Sequence, residues 1–187
     1  MASVFSKLIG PASAVIAPLL VSTACFADAE SARVFELIDQ RLEHMKDVAL
    51  YKLKNGKPIE DRSREQVVIE KAKEKAAQSG LAPSSIEEFY RAQIAAAKVI
   101  QYRYLADWTL STKVPDREPA DLSTEIRPAL IELGDEIVKA LREFLEKGNR
   151  FGDEHLSEFQ RIVNVEKLDE ADEIAIFNSM RPISLAR

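Results

Sequence analysis

Apolar side chains recur along this chain at three- and four-residue intervals, the period of a helix that buries one face. From Glu30 to about Leu53 the stripe is Val34, Leu37, Ile38, Leu42, Met45, Val48 and Ala49, and Asn55-Gly56 ends it. Lys57 to Asp61 reads as a connecting loop, after which Arg62 to Gln78 resumes helical composition and stops at Gly80. Pro83-Ser84-Ser85 opens a third helix, with a serine as the expected cap. Its stripe passes through Ile86, Phe89, Tyr90, Ile94, Ala97, Ile100, Tyr104 and Leu105 to about Trp108. Thr109 to Ala120 carries Pro115 and Pro119 without periodicity and reads as a crossover loop. A fourth helix is expected from Ser123 or Thr124, with Pro128 in its first turn, through Leu130, Leu133, Ile137, Val138, Leu141, Phe144 and Leu145 to Gly148-Asn149. Two shorter helices, about Asp153 to Val163 and Val165 to Ser179, complete an all-α fold of about six helices.

The first residues break the pattern. Lys7 precedes a largely apolar run from Leu8 to Val21, interrupted by Gly10, Pro11, Ser13 and Pro18, too short and broken for a good spanning helix. The expectation is a cleavable signal peptide over residues 1–27, cut after Ala27 or Ala29, with the helical domain over 28–187 and a periplasmic or secreted destination. A membrane anchor, or acylation of Cys25, are the other readings of this segment, although Ser22 stands where acylation favours an apolar residue. Cys25 is the single cysteine, so the mature chain is expected to have no disulfide and to rely on packing. No second hydrophobic segment suggests membrane association after cleavage.

Length and charge narrow the options. The 187 residues, 46% of them hydrophobic, can bury one core, and a single domain is the simplest division. The net charge of -5 disfavours a nucleic-acid surface, so an anionic ligand must be met by a local cationic pocket.

Such a pocket has candidates. Arg41 and Lys52 are eleven residues apart, which leaves about 20° of net helical rotation, so both lie on the apolar stripe, three turns from each other. Long basic side chains also snorkel out of such faces, so phase alone does not make a site. Asp61 precedes the next helix and can cap it; Arg64 lies one turn before Val68 and Glu65 one turn before Ile69. Gln101 interrupts the inward stripe of the third helix, and a buried amide needs partners.

Arg41, Lys52, Asp61, Arg64, Glu65 and Gln101 resemble, in order and spacing and without a gap, the active-site pattern of the helical chorismate mutases. Lys57-Pro58-Ile59-Glu60-Asp61, the run Gln101 to Trp108, and the leader resemble the secreted (periplasmic) subclass of that family. The resemblance covers roughly Arg33 to Leu145 and makes Arg127 the match for a further arginine after the crossover. It implies conversion of chorismate to prephenate by a [3,3] pericyclic rearrangement, with no metal or other cofactor, in a homodimer. By the same resemblance Arg41 and Arg127 hold the two substrate carboxylates with help from Arg64. Lys52 and Gln101 donate to the ether oxygen, and Asp61 and Glu65 contact the substrate hydroxyl or orient the bases. Lys52, Arg64, Gln101 and Glu65 are thus the implied catalytic set. The sequence departs from relatives at Ala97, where they carry a small hydroxyl residue, at Val68, and at Gln101, where secreted relatives can carry a glutamate.

These residue types suit the chemistry. The substrate carries two carboxylates and an ether oxygen that gains negative charge as its C–O bond breaks, so preorganised donors and a fixed conformer are what a catalyst must supply. A guanidinium grips a carboxylate in a fork and stays charged when dehydrated. His44 and His155 lack partners at metal-ligand spacing and are read as structural or surface residues. Trp108, Tyr102 and Tyr104 are read as packing, and Glu70, Lys71, Lys73, Glu74 and Lys75 as a solvated helix face. The competing functions are a non-catalytic helical module binding an anionic metabolite or a partner, and an isochorismate pyruvate-lyase activity on the same fold.

Overall fold

The computed structural model describes residues 24–187, with side chains from Ala29 onward. Residues 1–23 of the expected leader lie outside the described residues, whereas Ala27 and Ala29 fall within the first helix. Seven α-helices follow one another: α1 (Ala24–Glu43), α2 (Met45–Lys54), α3 (Arg62–Gln78), α4 (Pro83–Ser111), α5 (Arg127–Glu146), α6 (Leu156–Ile162) and α7 (Glu170–Met180). The extra helix arises because the first expected one breaks at His44, which keeps helical dihedrals (φ -62°, ψ -16°) and so barely disturbs the phase between Arg41 and Lys52. None of the helices among the described residues is long and apolar enough to cross a membrane.

Two glycine turns set the bundle. After α2, Gly56 takes φ +60°, and Lys57 N–H reaches back to the Lys52 carbonyl at 2.8 Å. After α3, Gly80 takes φ +76°, Leu81 N–H bonds the Ala76 carbonyl at 2.9 Å, and buried Leu81 seals the turn. The chain thereby reverses, so that α3 and α4 run antiparallel, with Lys73 of α3 paired to Glu87 of α4 and Lys98 of α4 to Glu65 of α3.

Several expected boundaries move. Ala82, not a serine, precedes α4; Pro83 supplies the fixed φ of the first turn, and Ser85 Oγ donates to the Ala82 carbonyl instead of capping amides. The same helix continues past Trp108 to Ser111. The crossover ends at Asp121, whose carboxylate accepts from Ser123 and Thr124 N–H, so the helix starts before the expected Ser123 or Thr124. Its first turn, Leu122–Ile126, is a π-turn that delivers Pro128 near the start of α5. The wide turn relieves the conflict a proline ring has with the carbonyl one α-turn earlier. Asp169 caps α7 through Asp172 N–H, so the helix starts at Glu170, five residues after the expected Val165.

The apolar stripes meet as their periods require: Val34, Phe35, Leu37, Ile38, Leu42, Met45 and Val48 are all buried. Around Phe35 the C-terminal segment supplies three aromatic rings, with centroids at 5.1 Å (Phe159), 5.9 Å (Phe151) and 6.5 Å (Phe177). Such contacts are worth about 0.5–1.5 kcal/mol each beyond the area they bury. Residues after 150 thus complete the core behind α1 and α4. Trp108 and Tyr104 stack at 5.4 Å within it, but Tyr102 faces solvent, against the packing role expected of it.

Candidate active site

A cavity of about 240 Å³ opens between α1, α2, α3, α4 and α5. Arg41, Lys52, Asp61, Arg64, Glu65, Gln101 and Arg127 all line it. Its walls are otherwise largely apolar: Leu42, Met45, Val48, Ile59, Val68, Ile94, Ala97 and Leu130. Seven basic side chains face three acidic ones, Asp61, Glu65 and Asp135, so a cationic pocket sits inside an acidic chain.

The cavity has two ends. At one, Lys52 Nζ donates to the Ile59 carbonyl at 2.7 Å, and the Gly56 turn ties the Lys52 backbone to the same loop. Burial pushes the Lys52 pKa below its ordinary value, with Asp61 and Glu65 opposing and Arg127 and Lys98 reinforcing the shift. Asp61 caps α3, its Oδ1 accepting from Arg64 N–H and Ser63 Oγ, each at 3.0 Å. Those hydrogen bonds, the backbone one foremost, hold its carboxyl below the usual range. Glu65 accepts from Lys98 Nζ at 3.1 Å and from Asp61 N–H at 3.4 Å. The guanidinium groups of Arg64 and Arg127 make no hydrogen bond or ion pair with any described residue.

At the other end Arg41 donates from Nη1 to the Leu130 carbonyl at 2.7 Å, and its guanidinium carbon lies 6.0 Å from the Tyr90 ring centroid. Burial lowers the Arg41 pKa. Tyr90 Oη donates to the Gly134 carbonyl at 3.0 Å, and burial pushes its pKa up to about 12. Between the ends stands Gln101, 4% exposed: Nε2 donates to the Ala97 carbonyl at 2.9 Å and approaches Met45 Sδ at 3.5 Å, and Oε1 has no partner. One amide hydrogen thus remains free of a strong acceptor.

The structure adds residues that the sequence reading passed over. Tyr90 counted only as core, and Gln93 and Lys98 were not singled out. Lys71 and Lys75, read as solvated, line the cavity, Lys75 pairing with Asp135 of α5 at 2.8 Å. His155 is structural: its Nδ1 accepts from Gly152 N–H at 3.2 Å against the rings of Phe144 and Phe151. Among the described residues no group of three or more His, Cys, Asp or Glu side chains is placed to hold a metal ion.

An all-helical cavity with cations at both ends is suited in charge to a small dianion, and known proteins place the chain further. Residues 28–102 match the family described as chorismate mutase type II. The chain is 37% identical to a secreted chorismate mutase of Yersinia pestis, over 91% of this chain and 94% of that one. It is 36% identical to a monofunctional chorismate mutase of Enterobacter agglomerans, over 78% of this chain and 79% of that one. The crystal structure of the Yersinia pestis secreted chorismate mutase superposes with a TM-score of 0.76 at 39% identity, covering 82% of this chain and 97% of that one. The chain belongs to the secreted chorismate mutases.

Proposed function

We propose that this cavity binds chorismate and converts it to prephenate, outside the cytoplasm. The observation that carries the reading is the pair of unsatisfied guanidiniums, Arg64 and Arg127, in a cavity whose far end holds Arg41. Both are half-buried with no acid in hydrogen-bond contact, so their donors are open to a dicarboxylate, whose two anionic groups they can pair. Arg41 takes one carboxylate and Arg127, aided by Arg64, the other, which folds the substrate into the compact conformer the rearrangement needs. Lys52 and the free Gln101 amide hydrogen meet the negative charge that grows on the ether oxygen. Asp61 and Glu65 contact the substrate hydroxyl or orient the bases. The rearrangement draws on no covalent intermediate, so positioning and electrostatics carry it.

Export rests on the leader over residues 1–27 and on relatives from Yersinia pestis and Mycobacterium tuberculosis that are described as secreted. A homodimer is part of the same reading, checked by light scattering.

Following the loss of chorismate absorbance with the mature protein tests the proposal. Wild type turns over; Lys52→Ala loses roughly 10²–10³-fold in kcat, the typical cost of one oxyanion donor, and Arg64→Ala loses roughly 10–10²-fold in kcat/KM, the cost of one hydrogen bond to a charged group. An inactive wild type defeats the enzyme reading, three equal rates defeat the site, and pyruvate release in place of prephenate identifies the lyase.

A further inference from the structure

We infer that Gln93 is a substrate-binding residue, its amide donating to the same carboxylate that Arg41 takes. The inference rests on the mutase reading above and assigns that site one more contact. Gln93 is 2% exposed, lines the cavity, and has no hydrogen-bond partner for either Nε2 or Oε1. Buried amides are nearly always satisfied, and an orphaned one is expensive enough to call for an explanation. A ligand in the cavity provides one.

The position fits one end of the substrate. Three residues earlier on α4, Tyr90 lies beside the Arg41 guanidinium, so the turn that carries Gln93 faces Arg41 rather than the Lys52 end. Gln93, Ala97 and Gln101 recur at four-residue spacing along the cavity wall of α4. Ala97 between them is small and offers no side-chain donor, which leaves room for the longer Gln93 to reach the carboxylate. Arg41 already spends Nη1 on the Leu130 carbonyl, so a second donor at this end completes the coordination of a two-oxygen anion. The distribution of polar groups then matches the dianion: Arg41 and Gln93 at one end, Arg127, Arg64 and Lys52 at the other, Gln101 between.

Two substitutions test this by steady-state kinetics and melting. Gln93→Met keeps the length and removes the amide. KM for chorismate rises roughly 10–100-fold, the range of one hydrogen bond to a charged group, with kcat within about 3-fold. The ligand-free variant melts no lower than wild type, because an orphaned amide has been removed. Gln93→Glu sets a carboxylate against the bound carboxylate, so its KM is high at pH 8 and recovers toward acid as the side chain takes up a proton and donates again. A merely structural role for Gln93 would not produce that pH dependence. An active wild type with unchanged KM in Gln93→Met, or a pH-flat Gln93→Glu should the Met variant not fold, overturns the inference alone. An inactive wild type overturns the mutase reading and this inference with it.

Discussion

Lys98 on α4 and Glu65 on α3 lie 3.1 Å apart, and Glu65 is held from its other oxygen by the Asp61 N–H at 3.4 Å. A carboxylate fixed at both oxygens presents one orientation to the cavity, so Lys98 is expected to act on a substrate there through Glu65. Both side chains are about a quarter exposed, which screens the pair. Lys98→Met is expected to lower kcat/KM by roughly 5–10-fold, about 1 kcal/mol. In a double-mutant cycle with Glu65→Gln the two losses do not add, because each already removes the shared orientation. Additive losses would separate the two residues.

The pH profile follows from Lys52. Burial weighs against its charged form, so the empty enzyme releases this proton below the ordinary lysine pKa. If the cation is needed, kcat/KM falls as pH rises through that lowered pKa, while the bound dianion holds the proton and moves the kcat limb to higher pH. The stability effect has the opposite sense: the unfolded chain binds the proton more tightly, so the empty enzyme gains stability as pH climbs from the native toward the unfolded pKa. Lys52→Arg should abolish the alkaline limb. Gln101, an amide, adds no titration between pH 6 and 9, whereas Gln101→Glu introduces dependence on an acid form. Both are read from initial rates across pH.

Arg41 illustrates a conflict between stability and binding. Its guanidinium is partly buried with a carbonyl and a ring face for company and, among the described residues, no carboxylate paired with it. Arg41→Met should therefore melt at or above the wild-type temperature without ligand while losing at least about 10²-fold in kcat/KM. Calorimetry beside the activity assay checks it. A large drop in melting temperature would make Arg41 a structural residue.

The C-terminal tail offers a test of packing. Ile183 is buried, Ala82 N–H bonds the Ser184 carbonyl and Ala186 N–H the Gly80 carbonyl, each at 2.8 Å, closing the α3–α4 turn from outside. Deleting residues 181–187 should cost about 3–5 kcal/mol, from one isoleucine and two backbone hydrogen bonds. Urea denaturation measures it. Since no tail residue lines the cavity, KM of the folded fraction should stay near wild type.

Much of this was legible in local periodicity. The stripe from Val34 to Val48 placed the α1–α2 face, and Asn55-Gly56 and Gly80 marked helix ends because only residues tolerant of positive φ close those turns easily. The same rule that singled out Gln101, a polar residue on an apolar stripe, applies to Gln93, but its neighbours Ala92 and Ile94 made the phase ambiguous. Lys71 and Lys75 could not be read, because alternating charge looks the same whether a helix faces water or the mouth of a cavity. The break at His44 and the π-turn before Pro128 lack a propensity signal; they are tertiary adjustments. The C-terminal helices carry no chemical motif, and their aromatic residues declare a role only once folded against Phe35.

The π-turn at Leu122–Ile126 has a consequence for how this site can change. A five-residue turn holds one residue more than an α-turn does, and Arg127 follows directly upon it. Shortening the segment by a single residue would restore an ordinary turn and swing everything before or after it by about 100°, enough to take a guanidinium from the cavity to solvent. Length changes in the crossover loop are therefore expected to be tolerated only upstream of Asp121; from that carboxylate to Arg127 the count of residues fixes the direction in which the arginine is aimed.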